Sequence, residues 1–377
     1  MGRHGRALAE GVGLFLLGVL LFLYPDESAQ GAREGVTLCL DLLIPSLFPF
    51  FVLSSLLIST GLAGLCAWPL EGLMRPLFGV GGAGATAFSL GLIGGYPVGA
   101  RTIAQLVERR ECTREEANRL ALFCNNCGPA FFVGAAGVGV FGAKEAGFLL
   151  LGANFAAALL LGLGMRWMRG PSGRKGSAGG SKPVLSPLAA EFPDCVRGAF
   201  SSTLGVCAYV ILFSVLTALA DCSGVLPFCA DTLSGLLPGE HAQALCRSFF
   251  IGLMELSTGA ASLGEAAGSP VALPLAAFIL GWGGLSVHCQ SLPFWRAAGV
   301  RAGPYLRAKF AQGILSAALT ALALRWFPLS LPVMAPRLTM VSPCLLGREL
   351  LALWGAAGVY FFLLHPKKSG KDKKERL

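Results

Sequence analysis

Apolar runs bounded by Pro, Gly and charged residues recur along this chain at about 8–24, 37–59, 121–142, 146–167, 202–222, 271–290, 309–327 and 346–364. Each is close to the roughly 20 residues of helix that cross the ~30 Å hydrocarbon core of a bilayer. Backbone N–H and C=O groups find no water there, so a spanning run must bond internally as a helix. The pattern predicts an all-α polytopic membrane protein. Composition agrees: 14% of the 377 residues are charged, 54% are hydrophobic and mean hydropathy is +0.66. That leaves no room for a sizeable soluble domain. The 51 Gly follow no three-residue period, which excludes a collagen-like chain.

Two further stretches, about 78–100 and 244–266, are apolar but Gly-rich and interrupted. They read as broken or re-entrant segments. The cluster Gly94-Gly95-Tyr96-Pro97-Val98-Gly99 is too dense in helix breakers for a spanning helix. Gly134, Gly137, Gly139, Gly162 and Gly164 read instead as close-packing positions between helices.

The net charge of +9 takes its meaning from where the basic residues sit. With the N-terminus inside, 24 of the 30 Lys and Arg fall on the cytoplasmic side and 6 on the outer side. This is a positive-inside bias, and it predicts contact with anionic lipid. No aromatic and basic residues interleave as a base-stacking surface would need, so nucleic acid is not an expected partner. Both termini are expected in the cytoplasm. Arg3, His4 and Arg6 ahead of the first apolar run read as a retained signal anchor, because Tyr24-Pro25-Asp26-Glu27-Ser28 offers no small-x-small cleavage site. The 12 Cys lie mostly within apolar runs, Cys39, Cys207, Cys246 and Cys289 among them, and give no disulfide framework.

A basic, Gly- and Ser-rich stretch at 168–187 divides the chain, and the same order of parts recurs on either side. The expected domains are an N-terminal anchor and outer loop (1–35), a first repeat (36–167), a cytoplasmic linker (168–200), a second repeat (201–327), an outer loop with a last span (328–364) and a basic tail (365–377). The spans place the two repeats in opposite orientations. Inverted repeats with broken helices meeting near the midplane are an architecture of secondary transporters, because irregular backbone at that depth must line a cavity or be buried in protein.

Polar residues at the breaks are the candidate site. Glu255, followed by Ser257 and Thr258, is the only acidic residue in the middle of a broken apolar segment. An intramembrane carboxylate is costly and points to function. Its competing role is as a structural partner of Arg247, two turns earlier. Asn125 and Asn126, with Pro129, open a span and suit either a polar ligand or a helix cap beside the capping-box start Thr113-Arg114-Glu115-Glu116. Ser286, His288 and Gln290 form a further polar cluster next to Gly283 and Gly284. With Gly95 and Pro97 these complete the candidate substrate-binding set. Cys124 and Cys127 make a C-x-x-C pair with neither a second pair nor a nearby His, so no metal is expected. No nucleophile-base set or phosphate loop appears, and an enzyme is not expected.

The ordered motifs Leu47-Phe48-Pro49-Phe50-Phe51, Arg75-Pro76-Leu77-Phe78, Gly95-Tyr96-Pro97-Val98-Gly99-Ala100, Thr113-Arg114-Glu115-Glu116-Ala117, Asn125-Asn126 to Pro129 and Gly284-Leu285-Ser286-Val287-His288-Cys289-Gln290 resemble sporulation integral membrane proteins of the YlbJ type. The resemblance covers about 35–330. It implies nucleoside-recognition (Gate) domains similar to modules of concentrative nucleoside transporters, a spore-forming bacterium, and a place in its cytoplasmic membrane, in the mother cell or forespore. Cys124 and Cys127 depart from the Ser and Asn residues expected around the Asn pair. The leading expectation is a transporter-like protein of endospore formation that binds or moves a small polar solute, with a nucleoside among the candidates. The alternative is a non-transporting scaffold of the spore envelope; an intramembrane enzyme, needing Glu255 and His288 in hydrogen-bond reach, ranks last. Expected partners are the solute, membrane lipid and a second copy of the chain. No cofactor is expected, and a coupling cation or proton stays open.

Overall fold

The computed structural model describes residues 3–169, 187–235, 239–327 and 329, and every regular element among them is a helix. The expected last span at 346–364, the tail at 365–377 and most of the linker lie outside the described residues. Four helical stretches among those described are long and apolar enough to cross a membrane: Pro25–Leu57, Lys144–Trp167, Leu188–Cys222 and Ala272–Ala298. Their outward faces carry exposed Phe148, Phe200, Leu212 and Leu285, as expected where lipid is the solvent.

Helix α1 (Arg3–Leu23) contains the first apolar run. The stretch expected as an outer loop is instead helix α2 (Pro25–Leu38), started by Pro25 at its first turn with Asp26 and Glu27 at the positive end of the helix dipole. It packs on α9 (Leu188–Cys222) through glycines: a Cβ on Gly31 would lie 2.7 Å from Ala218 Cβ, and one on Gly35 2.9 Å from Ile211 Cα. A π-helical turn, Cys39–Leu43, joins α2 to α3 (Ile44–Ser59), where Pro45 cannot donate an amide to the preceding turn. Helix α4 (Leu62–Phe78) ends at Gly79, whose φ of 65° closes the C-terminus in the left-handed conformation.

The Gly-rich segment folds as two short helices, α5 (Gly84–Gly94) and α6 (Val98–Glu108), joined by Gly95, Tyr96 and Pro97. At 11 residues each, they rise about 16 Å, half the hydrocarbon thickness. This is a re-entrant hairpin. Helix α7 (Arg114–Leu120) begins with the expected capping box, Glu116 N–H donating to Thr113 Oγ1 at 3.1 Å and Thr113 N–H to Glu116 Oε2 at 2.9 Å. The expected span at 121–142 is not one helix. Its first part, 122–129, has no regular helix, and Ala130–Val140 is a π-helix that packs on α8 (Lys144–Arg169). Gly137 meets Gly147 there, with a Cβ only 2.6 Å from the Gly147 Cα. Gly139 and Gly162 are likewise packed, whereas Gly164 faces open space.

Helix α9 is far longer than the expected 202–222: its 35 residues reach about 52 Å, and 188–200, expected as linker, is its first part. After α10 (Val225–Ser234), the second half repeats the parts of the first. Helices α11 (Ala242–Met254) and α12 (Leu256–Ser262) form a second broken pair around Glu255, whose φ of −140° and ψ of 123° leave the helical region. The expected span at 271–290 is also interrupted: α13 (Ala272–Trp282) stops at Gly283, φ 90°, and α14 (Gly284–Ala298) starts at Gly284, φ 75°. Helix α15 (Ala302–Trp326) follows. Broken pair, broken helix and long helix thus occur in the same order twice, as α5/α6, 122–140 and α8, then as α11/α12, α13/α14 and α15. Helix α15 packs on both α13 and α8, and Gly281 and Gly313 permit the closest approach of α13 to α15.

Candidate functional site

The two breaks of each repeat are stacked on one another. In the first, a Cβ on Gly91 or Gly99 would overlap the Cys124 carbonyl, and one on Gly95 would lie 2.7 Å from Gly128 N. Gly95 also needs its φ of 70°, so the hairpin tip can close on the unwound segment only with Gly there. In the second, a Cβ on Gly284 would lie 2.9 Å from Leu256 N and 3.2 Å from Glu255 Cα. The repeats meet at Tyr96, whose hydroxyl lies 3.0 Å from where Gly283 would carry a Cβ. Four interruptions of helical backbone, one more than the sequence marks, therefore converge.

Around them runs a buried polar network. Asn125, Asn126, Asn154, Ser286, Ser291, Lys309 and Gln312 are all fully buried. Asn125 Nδ2 donates to Ser291 Oγ at 3.3 Å and to Tyr305 Oη at 3.2 Å, while its Oδ1 accepts from Ala100 N–H at 3.3 Å. Tyr305 Oη also lies 3.1 Å from His288 Nδ1. Asn126 Nδ2 donates to the Phe123 carbonyl at 2.7 Å, turning its Oδ1 toward Gln312 Nε2 at 2.8 Å. Gln312 Nε2 donates as well to Asn154 Oδ1 at 2.9 Å.

Glu255 is 1% exposed and caps α12, accepting from Thr258 N–H at 2.6 Å through Oε2. Ser286 Oγ donates to its Oε1 at 3.4 Å, and Ser214 Oγ lies 3.4 Å from Thr258 Oγ1. Arg247 is not its partner; that guanidinium pairs with Asp221 at 2.8 Å. Glu255, Ser257, Gln290, Gly95 and Tyr96 line an inner cavity of about 50 Å³. Beside it, sharing Phe51, Val206 and Gln290, lies a cavity of about 430 Å³ walled by Pro97, Arg101, Gln105, Ser202 and Tyr209 among others. Asn125, Asn126, Thr258, Ser286 and His288 line neither cavity and stand behind those that do. Among the described residues several buried polar atoms in and around this network have no hydrogen-bond partner, Tyr96 Oη, His288 Nε2, Asn154 Nδ2, Trp295 Nε1, Ser316 Oγ and Thr320 Oγ1 among them. Among the described residues no cluster of His, Cys, Asp or Glu could hold a metal ion, and Cys124 and Cys127 are buried free thiols.

Residues 41–144, which hold the first hairpin and the unwound segment, match the Gate family, described as nucleoside recognition. Over 343 residues, covering 84% of this chain and 81% of the relative, the sequence is 30% identical to the sporulation integral membrane protein YlbJ of Bacillus subtilis (strain 168). The chain belongs to the YlbJ family. Its fold is that of a concentrative nucleoside transporter: a CNTnw variant in an outward-facing state superposes with a TM-score of 0.51, at 15% identity, over 88% of each chain. This member of the YlbJ family is thus an integral membrane protein of sporulation with a transporter-like fold, and neither its family nor its fold is that of an enzyme.

Sequence reasoning missed half of the network in this YlbJ-family chain. Lys309 is the first residue of the apolar run 309–327, where a basic residue reads as one of the cytoplasmic charges, yet it is fully buried against Asn125 and Gln312. Lys309, Gln312, Ser316 and Thr320 are all buried on α15 at spacings of three and four, one continuous polar stripe on an otherwise apolar helix. That periodicity was the available signal. Asn154, single in its span, carried none.

Proposed function

We propose that this protein binds and moves a small polar solute, a nucleoside being the first candidate, at the convergence of the four backbone breaks. The observation that carries the reading is the group of unpartnered buried polar atoms around the breaks, among them Tyr96 Oη, which faces Gly283 of the other repeat, and His288 Nε2. Buried polar groups are nearly always bonded, and orphans cluster where a ligand completes them. The 430 Å³ cavity falls in the ~300–1,000 Å³ range of small-molecule sites, while the inner 50 Å³ has room for little more than a water or two. A solute therefore enters through the larger space, and the hairpin tip at Gly95 and Pro97 moves to admit it to Glu255 and Ser257. Gly95, Pro97, Asn125, Asn126, Glu255, Ser257, Thr258, Ser286, His288 and Gln290 are the proposed site, with Tyr96 added. Membrane lipid meets the apolar faces, and the termini lie in the cytoplasm.

One observation favours the scaffold reading: Asn126, Asn154 and Gln312 already bond to one another, as in a purely structural core. Thermal stability of the purified protein with a panel of nucleosides and other small polar solutes separates the two. Binding to the native state raises Tm by mass action. A saturable rise with one solute, lost in Glu255→Gln, supports the site; no rise with any member supports the scaffold.

A further inference from the structure

Lys309 is a buried lysine with no carboxylate within hydrogen-bond reach of its Nζ. None of the ion pairs seen among the described residues, Arg119 with Glu115, Arg197 with Asp194 and Arg247 with Asp221 among them, includes Lys309. Its Nζ donates to the Asn125 carbonyl at 2.9 Å and to Gln312 Oε1 at 2.7 Å, and it lies 5.2 Å from the centroid of the Tyr96 ring. These three partners offer electron density: a backbone carbonyl, an amide oxygen and a π face. The orientation of the amides is fixed. Both hydrogens of Gln312 Nε2 are committed, to Asn126 Oδ1 and Asn154 Oδ1, so its oxygen must face Nζ. Asn126 is locked the same way by the Phe123 carbonyl. The network thus turns neutral acceptor oxygens toward Nζ, the arrangement that a cation would need.

Carbonyls of unwound helix segments are where secondary transporters built on broken helices coordinate a coupling cation. Here the carbonyl belongs to the unwound segment 122–129, and the chain's own side chain occupies it. We propose that Lys309 is a tethered cation, filling the position of a free monovalent ion and making the site independent of Na⁺ and K⁺. The inference rests on the same broken-helix site as the solute reading, but its test needs no solute.

The experiment measures Tm of the purified protein in detergent at constant ionic strength, with NaCl, KCl or LiCl replacing choline chloride. Wild type is expected to show no saturable, cation-specific shift. Lys309→Ala, which frees the Asn125 and Gln312 oxygens and opens space between them, is expected to start lower and to gain a saturable upward shift of several degrees with Na⁺ or K⁺. Lys309→Met, which fills the space with an apolar chain, is expected to gain none. A saturable shift in wild type overturns the proposal, as does a folded Lys309→Ala that responds to no cation. If Lys309→Ala does not fold, the wild-type titration decides by itself: insensitivity supports the proposal and a specific response overturns it. A wild type that ignores every solute but behaves as expected toward cations defeats the solute reading and leaves this one standing.

Discussion

Lys309 Nζ donates to the Asn125 carbonyl at 2.9 Å, tying the long helix α15 of the second repeat to the unwound segment of the first. The bond spans 184 positions of sequence, so it forms only when both repeats are assembled. It also explains how 122–129 can leave the helical conformation inside a bilayer: the freed carbonyl is met by a buried donor.

Lys309→Met removes that donor and orphans the Asn125 and Gln312 oxygens together. A buried acceptor left unsatisfied costs about 1–3 kcal/mol, so the loss should total about 2–6 kcal/mol. Thermal unfolding in detergent is expected to show a Tm several degrees or more below wild type. An unchanged Tm would mean that the bond is not structurally important.

Glycine substitutions should separate the stacked breaks from open helix surface. A Cβ on Gly259 would overlap the Gly252 Cα, whereas one on Gly152, within α8, meets nothing within 4 Å. Gly259→Ala is expected to abolish or strongly lower the yield of monodisperse protein on size exclusion. Gly152→Ala is expected to be neutral or to stabilise by about 0.5–1 kcal/mol through helix propensity.

Glu255 has two roles that substitutions can divide. As the N-cap of α12 it needs an acceptor for Thr258 N–H, which Gln retains and Ala lacks. Glu255→Gln should keep Tm within about a degree or two, while Glu255→Ala should lose about 1 kcal/mol. Both are expected to weaken the solute-induced Tm shift at least tenfold in apparent affinity. A full response in Glu255→Gln would confine the carboxylate to capping.

The membrane class and the repeated order of parts were legible in the sequence because they depend on long apolar runs and dense Gly and Pro, which composition alone exposes. The Gly94–Gly99 break and the Glu255 break were legible for the same reason. Gly283 and Gly284 mark their break in the same way, whereas the break at 122–129 is hidden inside a run apolar enough to read as a whole span. Residues 25–36 were polar enough to read as a loop, but the Gly31 and Gly35 face let that stretch pack as helix against α9. Lys309 was misread because a positive charge at the edge of an apolar run ordinarily faces water; only its place in the stripe with Gln312, Ser316 and Thr320 marks it as interior.

Arg247 pairs with Asp221 while both side chains stay partly exposed, 46% and 36%. Exposed pairs contribute roughly 0–1 kcal/mol. Arg247→Ala is therefore expected to change Tm little and to leave the solute response intact. A loss of that response would show that Arg247 acts on the site in spite of its pairing with Asp221.

The central claim is that a solute crosses at the four converging breaks, and flux tests it most directly. Uptake of radiolabelled nucleosides and a panel of small polar solutes into proteoliposomes should exceed that of empty liposomes for at least one member, saturate with concentration, and fall to background in Glu255→Gln. Uptake equal to empty liposomes across the whole panel, from protein shown to be folded and inserted, would contradict it.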